Sequence, residues 1–567
     1  MILKPLLGLA VLSDIALAAP SGLLTRGAQP TAHVRNGTYT GVRNTHYGQD
    51  LFLGIPYAQQ PVGDWRFGLP QSLNETWEGE RDAKAYGDIC VGYGTDSIWY
   101  PMSEACLTLN VIRDSSVEEG SDLPVGVWIH GGGFVMGSGA DERYNMSAIV
   151  ANAHRIGKPF IGITINYRLS TWGFLASDEV TAAGATNLGL RDQRLALQWI
   201  QENIAAFGGD PSKVTIWGES AGGMSVGAHL IAYGGRDDGL FRGAIMQSGG
   251  SIMASSSNTT QSQLQYDEIV EKAGCSGAED TLQCLRTVPF EELNALFNGT
   301  EGSPAYDFSP AVDGDLLREQ GSIQLEKGAF VKVPIIAGTN TDEGTSFGPT
   351  GINTTAQFYN YLTNSTSSYT LPPTLASRIL SLYPDDPSQG IPAFLNATRI
   401  PSKGLQWRRT SAFAGDVSMH APRRAQCAAW ADFNTPAYCY RFNTRGNDVD
   451  YLDGVAHFTE VSFVFNNVQG LGYHYGKPFG GLSREDLRKH VGLSEKVASM
   501  WAGFIHDLDP NFEEHGPKGG YWEQYETRRP VDLVLDANAT GAGVLEEDSW
   551  RKEGIDFINS IAGVLLR

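Results

Sequence analysis

The chain has 567 residues, of which 41% are hydrophobic, and a formal net charge of −21. This composition excludes a disordered chain, and the acidic excess argues against nucleic acid or an anionic membrane as a partner, because phosphate groups are bound by basic faces. Single hydrophobic cores usually stop growing at about 250–300 residues, so length alone favours two or more domains. The order of the motifs described below favours one.

The N-terminus has the pattern of a secretory signal peptide. Lys4 supplies a short positive region, an apolar stretch interrupted by Asp14 follows, and residues 16–18 form a small-x-small cleavage site. We expect cleavage after Ala18, so that residues 1–18 are the signal peptide; an amphipathic N-terminal helix is the alternative. No other apolar run approaches the ~18–20 residues that span a bilayer. The sequence therefore predicts a secreted, extracellular protein without stable membrane insertion.

Sequons and cysteines agree with export. An even number of cysteines in a secreted chain indicates disulfides, and nine Asn-x-Ser/Thr triplets indicate a glycosylated surface. The sequons begin at Asn36, Asn74, Asn145, Asn258, Asn298, Asn353, Asn364, Asn396 and Asn538. The expected pairs are Cys90 with Cys106, Cys275 with Cys284, and Cys427 with Cys439. The third pair is left open, because Cys427 lies in a helix-like segment and Cys439 in a strand-like one.

Strand patterns alternate with helical patterns along the chain. Residues 32–35 and 38–40 predict an antiparallel hairpin. Further strands are predicted at residues 125–129, 160–165, 214–217, 243–246 and 333–337, a helix at 190–204, an amphipathic C-terminal helix at 555–566, and loops at 255–261 and 353–368. This alternation predicts an α/β fold, with a large, mostly parallel sheet that is covered by helices on both faces.

The most informative segment is residues 218–222, Gly-Glu-Ser-Ala-Gly, directly after the apolar run 214–217. A strand, a Gly-x-Ser-x-Gly turn and a helix in this order form a nucleophile elbow, which exposes the serine hydroxyl. The same short pattern recurs around Ser225 and Ser346. Ser225 falls inside the expected helix, and Ser346 follows a polar loop instead of a strand. Context therefore makes Ser220 the candidate nucleophile.

Residues 130–134, His-Gly-Gly-Gly-Phe, follow the predicted strand 125–129. Consecutive glycines leave backbone N–H groups uncovered, as an oxyanion hole requires; a flexible loop is the alternative. We expect Gly132, Gly133 and Ala221, the residue after the nucleophile, to be the donors.

Serine catalysis also needs a base and an acid that orients it. Residue type alone does not choose among eleven histidines, or between two adjacent carboxylates, Asp342 and Glu343.

These segments together resemble the type-B carboxylesterase/lipase family of the α/β-hydrolase fold, which includes fungal lipases, carboxylesterases and cholinesterases. Further matching segments are residues 52–58, 66–67, 103–111, 166–169, 192–199 and 206–211. The resemblance extends from about residue 30 to the C-terminus. It implies one catalytic domain at residues 19–567, because motifs from residue 54 to residue 457 must meet at a single site.

The resemblance also selects the acid and the base. The family's acid lies in an Asp-Glu-Gly-Thr/Ser motif, which here implies Glu343, and its base lies in Gly-Val-x-His-x-x-Glu, which implies His457. The resulting chain order of serine, acid and histidine is the one expected of this fold. Glu219 is implied as a secondary site residue that stabilises positive charge, with turn structure as the alternative. Two structural ion pairs are implied as well: Arg66 with Glu104, and Arg168 with Asp192.

One departure from the family bears on specificity. In its lipases and cholinesterases the first disulfide closes a longer loop, which forms a lid or a gorge wall, whereas Cys90 and Cys106 enclose only fifteen residues. We therefore expect neither a large mobile lid nor strong interfacial activation. Trp99 is the only tryptophan on this loop, and its offset from Cys106 does not match that of the choline-site tryptophan, so cholinesterase activity is not expected.

The sequence thus predicts a secreted serine carboxylic-ester hydrolase that forms an acyl-enzyme on Ser220. The resemblance implies a small-molecule ester as substrate and no metal or organic cofactor. The alternatives are a lipase acting on longer-chain acylglycerols and an acyltransferase or tailoring esterase of secondary metabolism. A non-catalytic adhesion homologue is disfavoured, because all three triad residues and the glycine run are retained. The sequence gives no prediction of oligomeric state.

Overall fold

The structure is a computed structural model that describes residues 29–253, 259–364, 369–511 and 521–567. The predicted signal peptide, residues 1–18, and the sequon at Asn258 lie outside the described residues.

The described residues form sixteen strands and sixteen α-helices. The strands are β1 (Thr31–Val34), β2 (Gly37–Thr40), β3 (Val42–Asn44), β4 (Gln49–Pro56), β5 (Glu80–Asp82), β6 (Ile89–Cys90), β7 (Met102–Ser103), β8 (Thr108–Asp114), β9 (Leu123–Ile129), β10 (Ile161–Ile165), β11 (Gly209–Glu219), β12 (Gly243–Gln247), β13 (Ile335–Asn340), β14 (Ala437–Phe442), β15 (Val531–Leu535) and β16 (Gly543–Glu547). The helices are α1 (Ser147–Arg155), α2 (Ser170–Phe174), α3 (Asp178–Ala182), α4 (Leu188–Asn203), α5 (Ala221–Ile231), α6 (Thr259–Lys272), α7 (Thr281–Thr287), α8 (Phe290–Phe297), α9 (Gly321–Glu326), α10 (Thr355–Thr363), α11 (Pro373–Leu382), α12 (Trp407–Gly415), α13 (Ala421–Asp432), α14 (Val461–Val464), α15 (Arg484–Asp507) and α16 (Lys552–Ser560).

Eleven strands form one mixed sheet in the order β16-β15-β14-β13-β12-β11-β9-β10-β8-β4-β3. The strands from β15 to β10 run parallel to one another, and antiparallel strands lie at both edges. The predicted α/β fold with a mostly parallel sheet is therefore confirmed. The predicted hairpin of β1 and β2 also forms, and it belongs to a separate three-stranded sheet with β5.

Alternate side chains of the central strands enter two different hydrophobic clusters. In β9, Val127 packs in one cluster and Trp128 in the other. In β11, Ile216 packs in the same cluster as Val127, and Trp217 packs in the same cluster as Trp128. Successive side chains of a strand point to opposite faces, so the near-continuous apolar runs seen in the sequence reflect a sheet that is buried on both faces.

Three sequence predictions are wrong in part. Residues 353–368 were predicted as a loop, but α10 occupies Thr355–Thr363 and begins with a capping box between Thr354 and Gln357. Of the predicted loop 255–261, residues 259–261 belong to α6, which begins at Thr259, and residues 255–258 lie outside the described residues. The C-terminal helix ends at Ser560, before the predicted boundary at 566.

The predicted covalent and ionic links are present. All three cysteine pairs form disulfides, including the pair between Cys427 in α13 and Cys439 in β14. The guanidinium groups of Arg66 and Arg168 lie 2.6 Å from carboxylate oxygens of their implied partners, Glu104 and Asp192. Within the described ranges, no helix is both long and apolar enough to cross a membrane.

Candidate active site

Ser220 lies in a strained turn between β11 and α5. Its φ of 55° and ψ of −123° are unusual for a residue with a side chain, and such strain is concentrated at functional sites. The turn is held by the hydrogen bond that the Ser220 N–H donates to the Gln247 carbonyl, 2.9 Å away. Gly222 permits the close approach, because a Cβ there would lie 2.0 Å from the Ile129 carbonyl oxygen. The hydroxyl of Ser220 is thus presented at the carboxyl edge of the sheet, where open α/β sheets bind ligands.

The two other Gly-x-Ser-x-Gly serines lie in different surroundings. Ser225 is buried within α5, and its hydroxyl accepts a hydrogen bond from the side-chain amide of Gln193 at 2.9 Å. Ser346 is exposed in the turn that follows Glu343. Neither serine sits on a strand-to-helix elbow, so the structure separates Ser220 from them as the sequence context does.

The glycine run lies directly against the elbow. A Cβ on Gly131 would lie 3.1 Å from the Cβ of Ser220. Gly132 and Gly133 have φ values of 99° and 63°, which a residue with a side chain rarely adopts. Among the described residues, nothing accepts a hydrogen bond from the N–H of Gly132 or Gly133. Ala221 is the first residue of α5, so its N–H has no acceptor within the helix. These three N–H groups are available to an oxyanion.

His457 is bound to Glu343 through the ring nitrogen Nδ1, which lies 2.7 Å from Glu343 Oε2. Glu343 is fully buried just after β13. Its other carboxylate oxygen accepts hydrogen bonds from the backbone N–H of Asn340, at 2.7 Å, and from the hydroxyl of Ser248. A carboxylate fixed in this way keeps a proton on Nδ1 and leaves Nε2 able to accept one.

Asp342, the other candidate acid, binds backbone instead of the imidazole. Its carboxylate accepts a hydrogen bond from the N–H of Val455 at 2.9 Å, and its own N–H donates to the Val455 carbonyl at 2.9 Å. Burial raises the pKa of Asp342 to about 6. Since Val455 lies two residues before His457, Asp342 anchors the loop that carries the histidine. Of these two adjacent carboxylates, Glu343 is the one that contacts the imidazole.

Glu219 faces the other side of the imidazole. Its Oε1 lies 3.2 Å from Nε2 of His457. Among the described residues, no hydrogen bond joins Ser220 Oγ to Nε2; such contacts are often long in the absence of substrate and tighten in the complex. Burial raises the pKa of Glu219 well above its usual range. Burial alone would lower the pKa of His457, but the negative charges of Glu219 and Glu343 outweigh it and raise that pKa to about 9.

Buried polar side chains next to the triad form a hydrogen-bonded network. Glu460 accepts hydrogen bonds from the side-chain amides of Gln247, at 3.1 Å, and Asn340. Gln247 in turn accepts a hydrogen bond from the indole N–H of Trp501 at 3.0 Å. Sequence reasoning assigned no role to Glu460, although it closes the histidine motif, nor to Ser248. Glu460 links the ends of β12 and β13, and Ser248 binds Glu343 directly.

Other histidines lack this environment. His420 is buried, and its Nδ1 lies 3.0 Å from the hydroxyl of Thr339. His474 stacks on Trp99, with ring centres 4.1 Å apart. In the described ranges, no group of three or more His, Cys, Asp or Glu side chains is placed to hold a metal ion.

The fold and this arrangement define an α/β-hydrolase with a serine, histidine and glutamate at the carboxyl edge of its sheet. The chain belongs to the carboxylesterase family, whose model matches residues 28–550. It is a carboxylic ester hydrolase.

Named relatives include lipases and an esterase. The chain is 32% identical to Lipase 4 of Diutina rugosa, over 94% of this chain and 97% of that protein. It is 33% identical to Secreted lipase 1 of Botryotinia fuckeliana, over 94% and 93% of the two chains. The crystal structure of Aspergillus niger EstA superposes with a TM-score of 0.81 at 28% identity, covering 95% of this chain and 99% of EstA.

The contact between Glu219 and His457 predicts a shift in pH dependence. In Glu219→Gln, the carboxyl group 3.2 Å from Nε2 is replaced by an amide that carries no charge at any pH. This lowers the pKa of His457, because a carboxylate at this range favours the imidazolium. A base works in its neutral form, so the rising limb of the kcat/KM profile against pH moves to lower pH. Glu142→Gln, at an exposed carboxylate, is the control and leaves the limb in place. If the rising limb of the Glu219→Gln profile stays in place or moves to higher pH, the electrostatic coupling between Glu219 and His457 is contradicted.

Proposed function

We propose that Ser220 is the nucleophile of this hydrolase and that His457 and Glu343 are its base and orienting acid. Ser220 Oγ attacks the ester carbonyl carbon while Nε2 of His457 takes the hydroxyl proton. The N–H groups of Gly132, Gly133 and Ala221 donate to the oxyanion that forms. The imidazolium then protonates the leaving alcohol, which departs and leaves an acyl-enzyme on Ser220. Water, deprotonated by the same histidine, releases the acid and restores the serine.

One observation carries this assignment: the 2.7 Å contact between the imidazole and a fully buried carboxylate, beside a serine held at positive φ. Glu219 supports the proposal by adding a second carboxylate next to the imidazolium that forms in both steps. A donor in an oxyanion hole typically contributes about 3–4 kcal/mol to transition-state stabilisation, so the glycine loop is a further large contributor.

Soluble esters fit the site better than emulsified lipid. The loop between Cys90 and Cys106 is pinned to its surroundings: the N–H of Tyr93 donates to the Val135 carbonyl at 2.7 Å, and Asp96 pairs with Arg143 at 2.7 Å. A loop that is short and tied in this way is a poor lid. We therefore propose an esterase in preference to a lipase, although relatives of this chain are named lipases.

A panel of esters tests this choice. We expect p-nitrophenyl esters with short acyl chains to be hydrolysed fastest, and the rate with triglyceride to show no jump when the substrate passes its solubility limit and forms an emulsion. A sharp rise in rate at that limit, with preference for long acyl chains, supports the lipase alternative instead.

We also propose that residues 19–567 form a single catalytic domain that is secreted and glycosylated. Three disulfides support an oxidising compartment, and two relatives are named secreted lipases. Six sequon asparagines are exposed, namely Asn74, Asn298, Asn353, Asn364, Asn396 and Asn538. Asn36 and Asn145 are half-buried. Mass spectrometry of the exported protein tests the proposal; an unprocessed N-terminus at residue 1 without glycans contradicts it.

A further inference from the structure

A small cavity lies between the start of α13 and strands β14, β15 and β16. We call it the Arg423 cavity. Its volume is about 10 Å³, and a site needs roughly 10–15 Å³ to hold one water-sized species. Ionisable side chains dominate its lining, among them His420, Arg423, Arg424, Arg441, Asp532 and Asp548. The cavity therefore has room for a single small species in strongly polar surroundings.

His420 reaches this cavity from an unusual helical turn. Residues Asp416–His420 form a π-helical turn between α12 and α13, and such turns are rare and frequently lie at functional sites. Burial lowers the pKa of His420 well below its usual range, so the ring is neutral. Its Nδ1 lies 3.0 Å from the hydroxyl of Thr339 in β13. When that hydroxyl donates to Nδ1, Nε2 carries the ring proton and is a hydrogen-bond donor.

Four buried nitrogen atoms of the lining share one property, which is that no described residue is their hydrogen-bond partner. They are Nε2 of His420, Nε of Arg423, and Nε and Nη1 of Arg424. These three side chains belong to residues that are only 2%, 4% and 8% exposed. A buried donor without an acceptor is costly, and such groups point to a bound water or ion.

Asp548 fixes the other nitrogen atoms of both guanidinium groups. Its carboxylate accepts hydrogen bonds from Nη1 and Nη2 of Arg423, at 2.5 and 3.0 Å, and from Nη2 of Arg424 at 2.8 Å. The hydroxyl of Tyr525 donates to the same carboxylate at 3.0 Å. A carboxylate has about four acceptor sites, so Asp548 has none left for the remaining N–H groups. Both guanidinium groups are thus held in place with donors to spare.

Asp532 is the other carboxyl group of this cavity that is fully buried. Its Oδ2 lies 3.4 Å from Nη2 of Arg423, and its Oδ1 has no hydrogen-bond partner among the described residues. Burial raises the pKa of Asp532, against the opposing effect of Arg423, which favours the neutral carboxyl group. A neutral Asp532 does not repel an anion, and its O–H is a further donor.

The excess of donors favours an anion over a water molecule. A buried water makes about three hydrogen bonds in total and donates some of them, so it cannot satisfy four donors. A monatomic anion accepts hydrogen bonds from every direction. Charge agrees, since with Asp532 neutral three guanidinium groups pair with only two carboxylates: Arg423 and Arg424 with Asp548, and Arg441 with Glu546. Glu547, which also lines the cavity, is exposed to solvent.

We propose that the Arg423 cavity binds one halide ion, chloride under natural conditions, between the imidazole of His420 and the guanidinium groups of Arg423 and Arg424. The ion joins the π-helical turn and α13 to the edge of the sheet that β15 and β16 form. Its role is structural, because it completes a buried charge network and has no contact with the proposed triad. The inference does not depend on the proposed function.

Bromide in place of chloride gives the most direct test. Crystals of the exported protein grown in sodium bromide are expected to show an anomalous diffraction peak, at the bromine absorption edge, inside the Arg423 cavity and in contact with Nε2 of His420. An ordered water there without anomalous signal overturns the proposal. So does a crystal structure in which the Asp532 carboxylate itself accepts hydrogen bonds from these donors.

Thermal unfolding tests the structural role in solution. Chloride is raised from about 1 to about 100 mM, with sodium gluconate keeping the ionic strength constant, since gluconate is too large for the cavity. A ligand that binds only the folded protein stabilises it in proportion to the logarithm of its concentration, so we expect the unfolding temperature to rise by about 2 °C. An unfolding temperature that does not depend on chloride overturns the proposal.

Three variants locate the effect. Arg424→Met removes two of the four donors and is expected to abolish the chloride dependence. Because it also loses the ion pair with Asp548, the readout is the difference between chloride and gluconate for the same variant. His420→Phe keeps a ring but removes Nε2, and it shifts the chloride concentration at half effect about tenfold upward, as expected for one lost hydrogen bond.

Arg113→Met is the matched control. Arg113 is also a buried arginine that faces a carboxylate, Asp50, and its Nε also has no hydrogen-bond partner among the described residues, but it lies outside the cavity. It is expected to keep the full chloride dependence, whatever its own stability. Loss of the dependence in Arg113→Met, or its retention in both Arg424→Met and His420→Phe, places the ion elsewhere and overturns the proposal.

Discussion

Ser220→Ala is expected to lower kcat for p-nitrophenyl ester hydrolysis by about 10⁶-fold, the scale seen when the nucleophile of a serine hydrolase is removed. The remaining donors at Gly132, Gly133 and Ala221 can bind a carbonyl oxygen but cannot form the acyl-enzyme. Alanine keeps the backbone of the elbow and adds no atom to it, so the thermal unfolding temperature stays within a few degrees of wild type. Steady-state kinetics and a thermal melt measure the two quantities together.

Ser225→Ala and Ser346→Ala are matched controls for this substitution, because both serines lie in the same Gly-x-Ser-x-Gly pattern. Ser346 is exposed, so its replacement leaves activity and stability near wild type. Ser225 loses a buried hydrogen bond with Gln193, which costs about 1 kcal/mol of stability and leaves the triad in place. Substantial turnover in Ser220→Ala, or inactivity of Ser346→Ala, contradicts the assignment of the nucleophile.

Glu343→Gln is expected to lower kcat by about 10⁴-fold, since an amide no longer holds the proton on Nδ1 of His457 or balances the imidazolium charge. Glutamine has nearly the same shape as glutamate, so the fall in kcat is not expected to come from misfolding. Its amide can still accept hydrogen bonds from Asn340 and Ser248. The measurement is kcat with a soluble p-nitrophenyl ester, together with a circular dichroism spectrum.

Asp342→Asn is the matched comparison, one residue away. The amide oxygen of asparagine can still accept the hydrogen bond from Val455, so the histidine loop stays in place and kcat falls by no more than about tenfold. The family motif and the contact geometry both select Glu343 over Asp342. If Asp342→Asn is the more damaging change and Glu343→Gln retains most activity, the orienting carboxylate has been misassigned.

The parts of the site that sequence predicted are those specified by local pattern. The elbow at Ser220 needs only a strand, a tight turn and a helix in order, and the glycine run needs only backbone that no side chain covers. His457 and Glu343 were selected by short motifs of the family, whereas residue chemistry alone left Asp342 and Glu343 equivalent. Their difference is a tertiary one, since it depends on which side chain meets His457 and which meets Val455 across more than a hundred residues.

Ser248 and Glu460, to which the sequence assigned no role, also depend on tertiary contacts. Ser248, just after β12, binds Glu343, and Glu460 binds Gln247, which is 213 residues away in the chain. Glu460 belongs to the histidine motif, but no local pattern identifies Gln247 or Glu343 as the partner of these residues. The failed loop prediction at 353–368 has another cause. Serine, threonine and asparagine compete with helical hydrogen bonds and so resemble loop composition. The capping box and the burial of Phe358 and Leu362 stabilise α10 despite that composition.

Covalent labelling by a fluorophosphonate probe tests the central claim most directly, because the probe reacts with an activated serine and leaves a stable adduct that mimics the tetrahedral intermediate. We predict one adduct per chain, on the peptide that contains Ser220, with loss of esterase activity in proportion to labelling. Ser220→Ala takes up no label, and Ser346→Ala labels as wild type. An unlabelled wild-type protein, or an adduct on any other serine, contradicts the proposal that Ser220 carries the acyl group.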